Sequence, residues 1–418
     1  MKLVRIAAIG AAAALALTAC GTDSDKEATD SAKPSGPSEI TVWLAGETDT
    51  PEDAVTYLKT EANKQEITVN VERIGWEDLV PKVTTSIADP KSTPDVVELG
   101  NTQVQAFSTA GAFRDITGLW ADLDKDNDLT LGGFVEGGSY NGKLYAAPYY
   151  SGSRIAYYNS DLVKEVPETL ADFNKLAAEL NTDKVSGVYL GGQDWRNGIS
   201  WIFANGGQIA TYEDGKWVGK LSTPESIKGL EMIQDIYENG TNAPKDADDS
   251  ETWVPFNEGK TAMFMAPGWA AGSIEGTKDD IKWSAFALPG ADGGVAPVFL
   301  GGSNIGISAK SQNPEAAEAV LNIMLSEPYQ KILAEAGLGT IYAQHAELAK
   351  GDAVKEAAVA SGQNGVITPA SPDWAAFEQT QKMEELFFEL ASGGDVKEIA
   401  AKYDEILNTS LNITKPKN

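Results

Sequence analysis

The run from residue 40 to residue 99 limits the fold more sharply than any other stretch of the chain. Ile40-Thr41-Val42-Trp43-Leu44 is apolar and rich in β-branched residues, and it reads as a buried first strand. A loop follows, and then a helix signal. Thr50 is placed to cap the first turn, Pro51 suits the first helical position, and Glu52 and Asp53 favour the helix dipole. Residues 67–71 form a second strand pattern, residues 78–88 a helix with Leu79, Val80, Val83 and Ile87 on one side, and residues 94–99 a third strand. This alternation predicts an α/β fold on a parallel sheet. Ligands of such sheets sit beyond the carboxyl ends of the strands. Those ends are Ala45-Gly46-Glu47, residues 73–76 and Gly100-Asn101-Thr102-Gln103.

Roughly 380 residues follow residue 38, more than one hydrophobic core usually holds, so two lobes are expected. Residues 141–159 hold two strand-like runs, 144–147 and 155–158, interrupted by Pro148 and Gly152. Proline cannot donate within a central ladder and glycine permits a bend. Taken alone, this stretch is equally an ordinary hairpin edge. Residues 299–307 repeat the logic around Gly301-Gly302, ahead of a helix opened by Asn313 and Pro314. A third irregular passage, residues 362–374, precedes two closing helices that bury Met383, Leu386, Phe387, Leu390 and then Val396, Ile399, Tyr403 and Ile406. Three widely separated breaks predict three passages between lobes. One lobe is expected to comprise residues 39–149 plus 304–361, the other 150–303 plus 362–418, with Tyr149, Tyr150, Gly152, Gly301 and Gly302 as hinge residues.

Residues 169–180 and 224–239 read as amphipathic helices, the second with Ile227, Leu230, Ile233 and Tyr237 on one face. Residues 191–195 end in Trp195 and residues 263–269 end in Trp269, each after a glycine-bearing loop that follows an apolar strand. A core place is the commoner fate of a tryptophan. Both of these, however, stand at strand exits rather than inside the apolar runs.

Lys2 and Arg5 precede an apolar run from residue 6 to residue 17, long enough for a signal-peptide core and too short for a permanent span. Residues 1–19 are therefore expected to be cleaved. Leu17-Thr18-Ala19-Cys20 looks like a bacterial lipobox, in which Cys20 carries lipid and anchors the chain to a membrane surface. Cys20 is the only cysteine, which excludes an intramolecular disulfide. Residues 20–38, almost without apolar side chains, read as a disordered tether. The formal charge is −28, and removing residues 1–19, with two bases and no acid, takes it to −30. Such a surface repels nucleic acid and anionic ligands.

The single histidine, His345, is expected at the surface, and without others there is no His-based metal site. Asp122, Asp124, Asp126 and Asp128 resemble a calcium loop, but the glycine and glutamate such a loop requires are replaced by Leu129 and Val135, so a solvated acidic segment is the better reading. No cofactor is expected.

The lipobox, the tether, Pro94-Asp95-Val96-Val97-Glu98-Leu99, residues 142–148, residues 256–263 and Gly301-Gly302-Ser303-Asn304 together resemble a family 1 extracellular solute-binding protein. These are the sugar receptors of ABC importers, similar in plan to maltose-binding protein. The resemblance covers residues 39–411. It implies a two-lobed, type II periplasmic-binding-protein-like fold, each lobe a mainly parallel sheet flanked by helices. Within the family the chain looks most like the branch for N,N′-diacetylchitobiose and related N-acetylglucosamine sugars, on the strength of residues 99–103, Gly192-Gln193-Asp194-Trp195, Gly268-Trp269, residues 301–304 and Pro372-Asp373-Trp374-Ala375. Asp194 stands where an amide is expected, and Tyr149-Tyr150 where relatives often carry Trp-Phe.

A saccharide offers apolar C–H faces and a rim of hydroxyls, so its site needs flat aromatic surfaces and fixed polar groups. The resemblance implies faces from Trp195, Trp269 and Trp374, and polar contacts from Asn101, Gln103, Gln193, Asp194, Ser303 and Asn304, with Glu47 and Arg154 as further candidates. It implies a monomeric receptor, not an enzyme, on the extracytoplasmic face of the membrane, with importer transmembrane subunits as partners. Cellobiose or maltose are alternative ligands. A surface-anchored glycoside hydrolase and an adhesive lipoprotein are the readings of other classes. The hydrolase would need paired carboxylates across a cleft, and no local pattern among 61 acids marks such a pair.

Overall fold

Ser38–Ala45 (β1), Ile67–Ile74 (β2) and Val96–Gly100 (β3) pair in parallel, connected through Glu52–Asn63 (α1) and Trp76–Ser86 (α2). This is the arrangement the first sixty residues of the body predict. The computed structural model describes residues 38–414 except 88, 128 and 275–280. The signal peptide, Cys20, all but the last residue of the tether, and Asp128 lie outside the described residues.

The later strands of the main sheet are Ala147–Asn159 (β4), Ser186–Tyr189 (β5), Thr261–Pro267 (β6), Trp283–Phe286 (β7) and Leu300–Ile307 (β8). The sheet order is β2-β1-β3-β8-β4-β6-β5, with β7 on β4. β8 is antiparallel to β3 and β4, β6 and β7 are antiparallel to β4, and β6 is parallel to β5. Parallel pairing thus occupies the two ends of the sheet and antiparallel pairing its centre, where the sequence predicts mainly parallel lobes. The cause lies in β4 and β8, which carry the chain between two cores in opposite directions.

The first core holds Ile40, Val42, Tyr149, Tyr150, Ile305 and Tyr329, and the second holds Trp195, Trp201, Phe299, Trp374 and Phe387. A smaller cluster around Ile155, Tyr157, Phe256 and Phe264 adjoins β4. The longer helices after β4 are Leu170–Leu180 (α3), Trp195–Ala204 (α4), Pro224–Asp235 (α5), Pro314–Leu325 (α6), Glu327–Glu335 (α7), Ala353–Gln363 (α8), Lys382–Ala391 (α9) and Val396–Ser410 (α10). Thr169 caps α3 and Thr223 caps α5 through their hydroxyls.

Several expectations are corrected. The break anticipated between residues 147 and 155 is absent, because β4 runs straight through Pro148 and Gly152. The irregularity sits across the ladder instead. β8 shifts register between Ser303 and Asn304, opposite Pro148, where a bulge relieves the missing N–H. Thr50 does not cap α1. Its buried hydroxyl lies 3.2 Å from that of Tyr149. His345 is buried, with Nδ1 2.8 Å from the Thr340 hydroxyl and Nε2 3.2 Å from Glu327. Helix α8 packs on β4 and β7, and Ala357 belongs to the cluster of Phe256 and Phe264. The boundary expected after residue 361 falls inside this helix. In the acidic segment, Asp124 accepts from the Leu129 amide and closes a turn.

Candidate ligand cleft

Successive side chains on a strand point to opposite faces, and β4 uses the two faces for different purposes. Tyr149, Ser151 and Ser153 face one way. The Tyr149 hydroxyl bonds that of Tyr329 at 2.6 Å, and Ser153 donates to the Ala358 carbonyl at 2.6 Å. Tyr150, Gly152 and Arg154 face the other way, toward Glu98, Trp269 and Asp249 respectively. Glu98 meets the last residue of β1, and Trp269 stands just past the end of β6.

On the first-core side, Glu98 of β3 is fully buried and accepts from the Ala45 amide at 3.0 Å. Burial pushes its carboxyl up to about 7, against the pull of Ser303, the Ala45 amide and Tyr150. Asn101 donates to the Leu300 carbonyl at 3.3 Å, and the Gln103 side chain accepts from the Gly100 amide. Both predicted amides are half-buried and already bonded to the ends of β3 and β8. Glu47 is exposed on the β1 exit.

Trp76 opens α2 and lies over the end of β3, its ring 3.4 Å from where a Gly100 Cβ would stand. Its indole N–H donates to Asp49 at 2.7 Å, and 38% of the residue is exposed. Sequence reasoning placed Trp76 at a strand exit without assigning it a role. Its place just past the second strand was the signal available.

On the second-core side the predicted residues divide. Trp269 follows β6, is 49% exposed, and rests edge-on against Trp253 with ring centroids 5.7 Å apart. Trp195 and Trp374 are each only 1% exposed and pack against one another, and Trp195 donates to Glu384 at 3.1 Å. In this conformation they are core residues without an open face. Both lie where a helix begins over the second core, and that burial outweighs their position at loop exits. Asp194 is fully buried and caps α4 by accepting from the Asn197 amide at 3.0 Å. Burial, then the nearby Asp249 charge, pushes its carboxyl up to about 7. The Gln193 backbone N–H donates to the Ala247 carbonyl. Ser303 and Asn304 are fully buried, and Asn304 donates to the carbonyls of Phe134 and Ala146. Asn304 thus serves the bulge rather than an open cleft.

Arg154 is paired with Asp249 at 2.9 Å. Asp249 also meets Arg196 at 3.3 Å, and Arg196 reaches Glu378 at 2.6 Å. Burial opposes ionisation of Asp249, but the two guanidinium groups hold its carboxyl below the usual range. Arg196 lies 4.6 Å over the Trp195 ring and is partly exposed. Arg196, Asp249 and Glu378 escaped sequence reasoning, since their partners lie far apart in the chain. No group of three or more potential metal ligands converges among the described residues.

A family model described as Bacterial extracellular solute-binding protein matches residues 56–361. The Diacetylchitobiose binding protein DasA of Streptomyces coelicolor is 30% identical over 393 residues, covering 90% of this chain and 91% of that protein. A maltooligosaccharide ABC transporter solute-binding lipoprotein of Streptococcus pneumoniae is 25% identical over 80% of this chain and 78% of its own length. Among solved structures, the GacH receptor of Streptomyces glaucescens superposes with a TM-score of 0.75 at 20% identity, covering 91% of this chain and all of that one. A cyclo/maltodextrin-binding protein complexed with maltotetraose gives 0.76 at 20% identity, covering 91% of this chain and 99% of its own. These two show the same fold. The chain belongs to the bacterial extracellular solute-binding proteins.

Proposed function

We propose that this chain is the lipid-anchored receptor of an ABC importer and captures N,N′-diacetylchitobiose or a related N-acetylglucosamine sugar between its two cores. The observation that carries the reading is a pair of exposed indoles, Trp76 on the first-core side and Trp269 on the second, each at a strand exit. Oriented aromatic faces suit the C–H faces of a pyranose. Likeness to a diacetylchitobiose-binding relative over nine-tenths of the chain supports the choice of sugar. Glu47, Asn101, Gln103 and Gln193 border the cleft as polar contacts, and Arg196 with Glu378 adds a polar edge.

In this reading the lobes are residues 39–149 plus the segment from 304 through α7, and 150–303 plus the segment from α8 onward. β4 and β8 act as hinge strands about Tyr149, Tyr150, Gly152, Gly301 and Gly302. Closure removes water from the cleft and makes a shape that the importer's transmembrane subunits distinguish. The receptor works as a monomer on the extracytoplasmic face, held by lipid on Cys20.

A thermal-shift panel of diacetylchitobiose, N-acetylglucosamine, cellobiose, maltose and xylobiose tests the reading. A ligand at a hundred times its Kd adds about 2.7 kcal/mol of stability. A shift with maltose or cellobiose alone would reassign the sugar, and no shift with any would count against a sugar receptor.

A further inference from the structure

Trp76 stands at the first position of α2, partly exposed, with an indole that its side-chain torsions could carry to several places. Its surroundings choose one. The ring lies against the end of β3, where Gly100 supplies no side chain and a Cβ would stand 3.4 Å from it. The indole N–H donates to the Asp49 carboxylate at 2.7 Å. The Gly46 amide donates to the Ile74 carbonyl at 2.8 Å, which ties the loop that carries Asp49 to the strand end that precedes Trp76.

Asp49 is placed by its own loop. Gly46 has φ +71°, a conformation that favours glycine, and a Cβ there would fall 2.5 Å from the carboxylate carbon of Asp49. The carboxylate thus fills the space that a side chain at position 46 would need. Two glycines are matched to two side chains, Gly46 making room for the acceptor and Gly100 for the ring. The exposed indole on the second-core side has a different support, since Trp269 rests edge-on against Trp253.

We infer that Asp49 is a positioning residue of the sugar site, holding the Trp76 indole in the orientation in which it meets a pyranose. The inference rests on the sugar cleft proposed above. A side chain fixed before the ligand arrives has little rotamer freedom left to lose on binding, and affinity is kept to that extent. A carboxylate suits the task, because hydrogen bonds to an ionised acceptor are about twice as strong as neutral ones. Glu47, exposed on the same loop, was the carboxylate expected from the sequence, but Asp49 is the one joined to an exposed aromatic ring. Asp49 acts on the sugar through Trp76.

The test is a calorimetric double-mutant cycle with diacetylchitobiose on the wild type, Asp49→Ala, Trp76→Phe and the variant carrying both. Trp76→Phe keeps an aromatic face and removes the N–H. Asp49→Ala is expected to weaken binding about fivefold in the wild-type background and less than about twofold in the Trp76→Phe background. Asp49→Asn, which keeps an acceptor, should recover most of the loss. Without sugar, the indole proton–nitrogen resonance of Trp76, assigned by its disappearance in Trp76→Phe, should shift in Asp49→Ala and exchange faster with solvent. Melting curves check that each variant folds. Equal losses in both backgrounds would make Asp49 a direct sugar contact or a general support of the fold, and that result, an unchanged affinity or an unmoved resonance would overturn the inference. If no sugar of the panel binds while the resonance moves, the Asp49–Trp76 coupling stands and the sugar reading falls.

Discussion

The Arg154 guanidinium, on the strand that joins the two cores, donates to the Asp249 carboxylate at 2.9 Å with both side chains largely buried. Removing one partner of a buried pair leaves an uncompensated charge, which typically costs about 3–5 kcal/mol. Because Arg196 still meets Asp249, Arg154→Ala is expected near the lower end of that range, about 3 kcal/mol by urea unfolding at pH 7. The carboxyl of Asp249 is held below its usual range, so the stabilisation is present above the ordinary carboxylate range and lost as pH falls through the lowered value. Arg154→Ala should weaken this acid-side loss. Equal acid profiles for the two proteins would show that the pair does not bear on stability.

The two kinds of tryptophan predict opposite phenotypes. Trp269→Ala should reduce affinity for the sugar about tenfold, roughly 1.4 kcal/mol, and leave melting of the unliganded protein nearly unchanged, because the residue is half exposed. Trp374→Ala should instead destabilise the unliganded chain by about 3–5 kcal/mol, as for other fully buried aromatics. Calorimetry for binding and a melting curve for each variant separate the two. Unaltered sugar affinity in Trp269→Ala would remove it as a stacking residue.

Gly302 has φ +143°, and a Cβ there would fall 2.3 Å from the Tyr150 carbonyl oxygen. Neither backbone can move without breaking the ladder between β8 and β4. Gly302→Ala is therefore expected to destabilise by more than about 1 kcal/mol, measured by denaturant midpoint. Gly152→Ala meets only ordinary contacts, with Pro267 at 3.5 Å and the Trp269 ring at 3.9 Å, and should fold normally. A harmless Gly302→Ala would mean the two strands have more freedom than their approach implies.

Glu98 and Asp194 each have a buried carboxyl pushed up to about 7. The folded chain keeps these protons over a range in which the unfolded chain releases them, so stability falls as pH rises from the ordinary carboxylate range toward about 7. Glu98→Gln retains an acceptor for the Ala45 amide and removes the charge. It should raise stability at pH 8 by about 2 kcal/mol and flatten the slope between pH 5 and pH 7. Urea unfolding at both pH values checks this, and an unchanged slope would mean that Glu98 ionises freely.

Cys20→Ala in the full chain should abolish incorporation of labelled fatty acid and shift the protein from the membrane fraction to the medium. Retention in the membrane fraction without label would overturn Cys20 as the point of anchoring.

The α/β class, the three parallel strands and the positions where those strands end were legible from local pattern. Apolar period, caps and turn residues act within a few positions of one another. That is why β1, β2 and β3 fall where residues 40–99 place them and why Trp76, Trp195 and Trp269 do stand at strand or loop exits. Exposure is not a local property. Trp195 and Trp374 are 179 positions apart and bury one another, whereas Trp269 has an edge contact and solvent.

The sequence by itself determined an acidic α/β body with two cores' worth of chain and strand exits supplied with aromatic and amide side chains. Only the tertiary structure decided which of those side chains remain open. It runs β4 straight through Pro148 by moving the irregularity into β8, joins Arg154, Asp249, Arg196 and Glu378 across gaps of up to 182 residues, and buries His345 against Thr340 and Glu327. The physical reason is the same in each instance: desolvation and pairing depend on what another segment brings within a few ångströms, and no short window of sequence contains that segment.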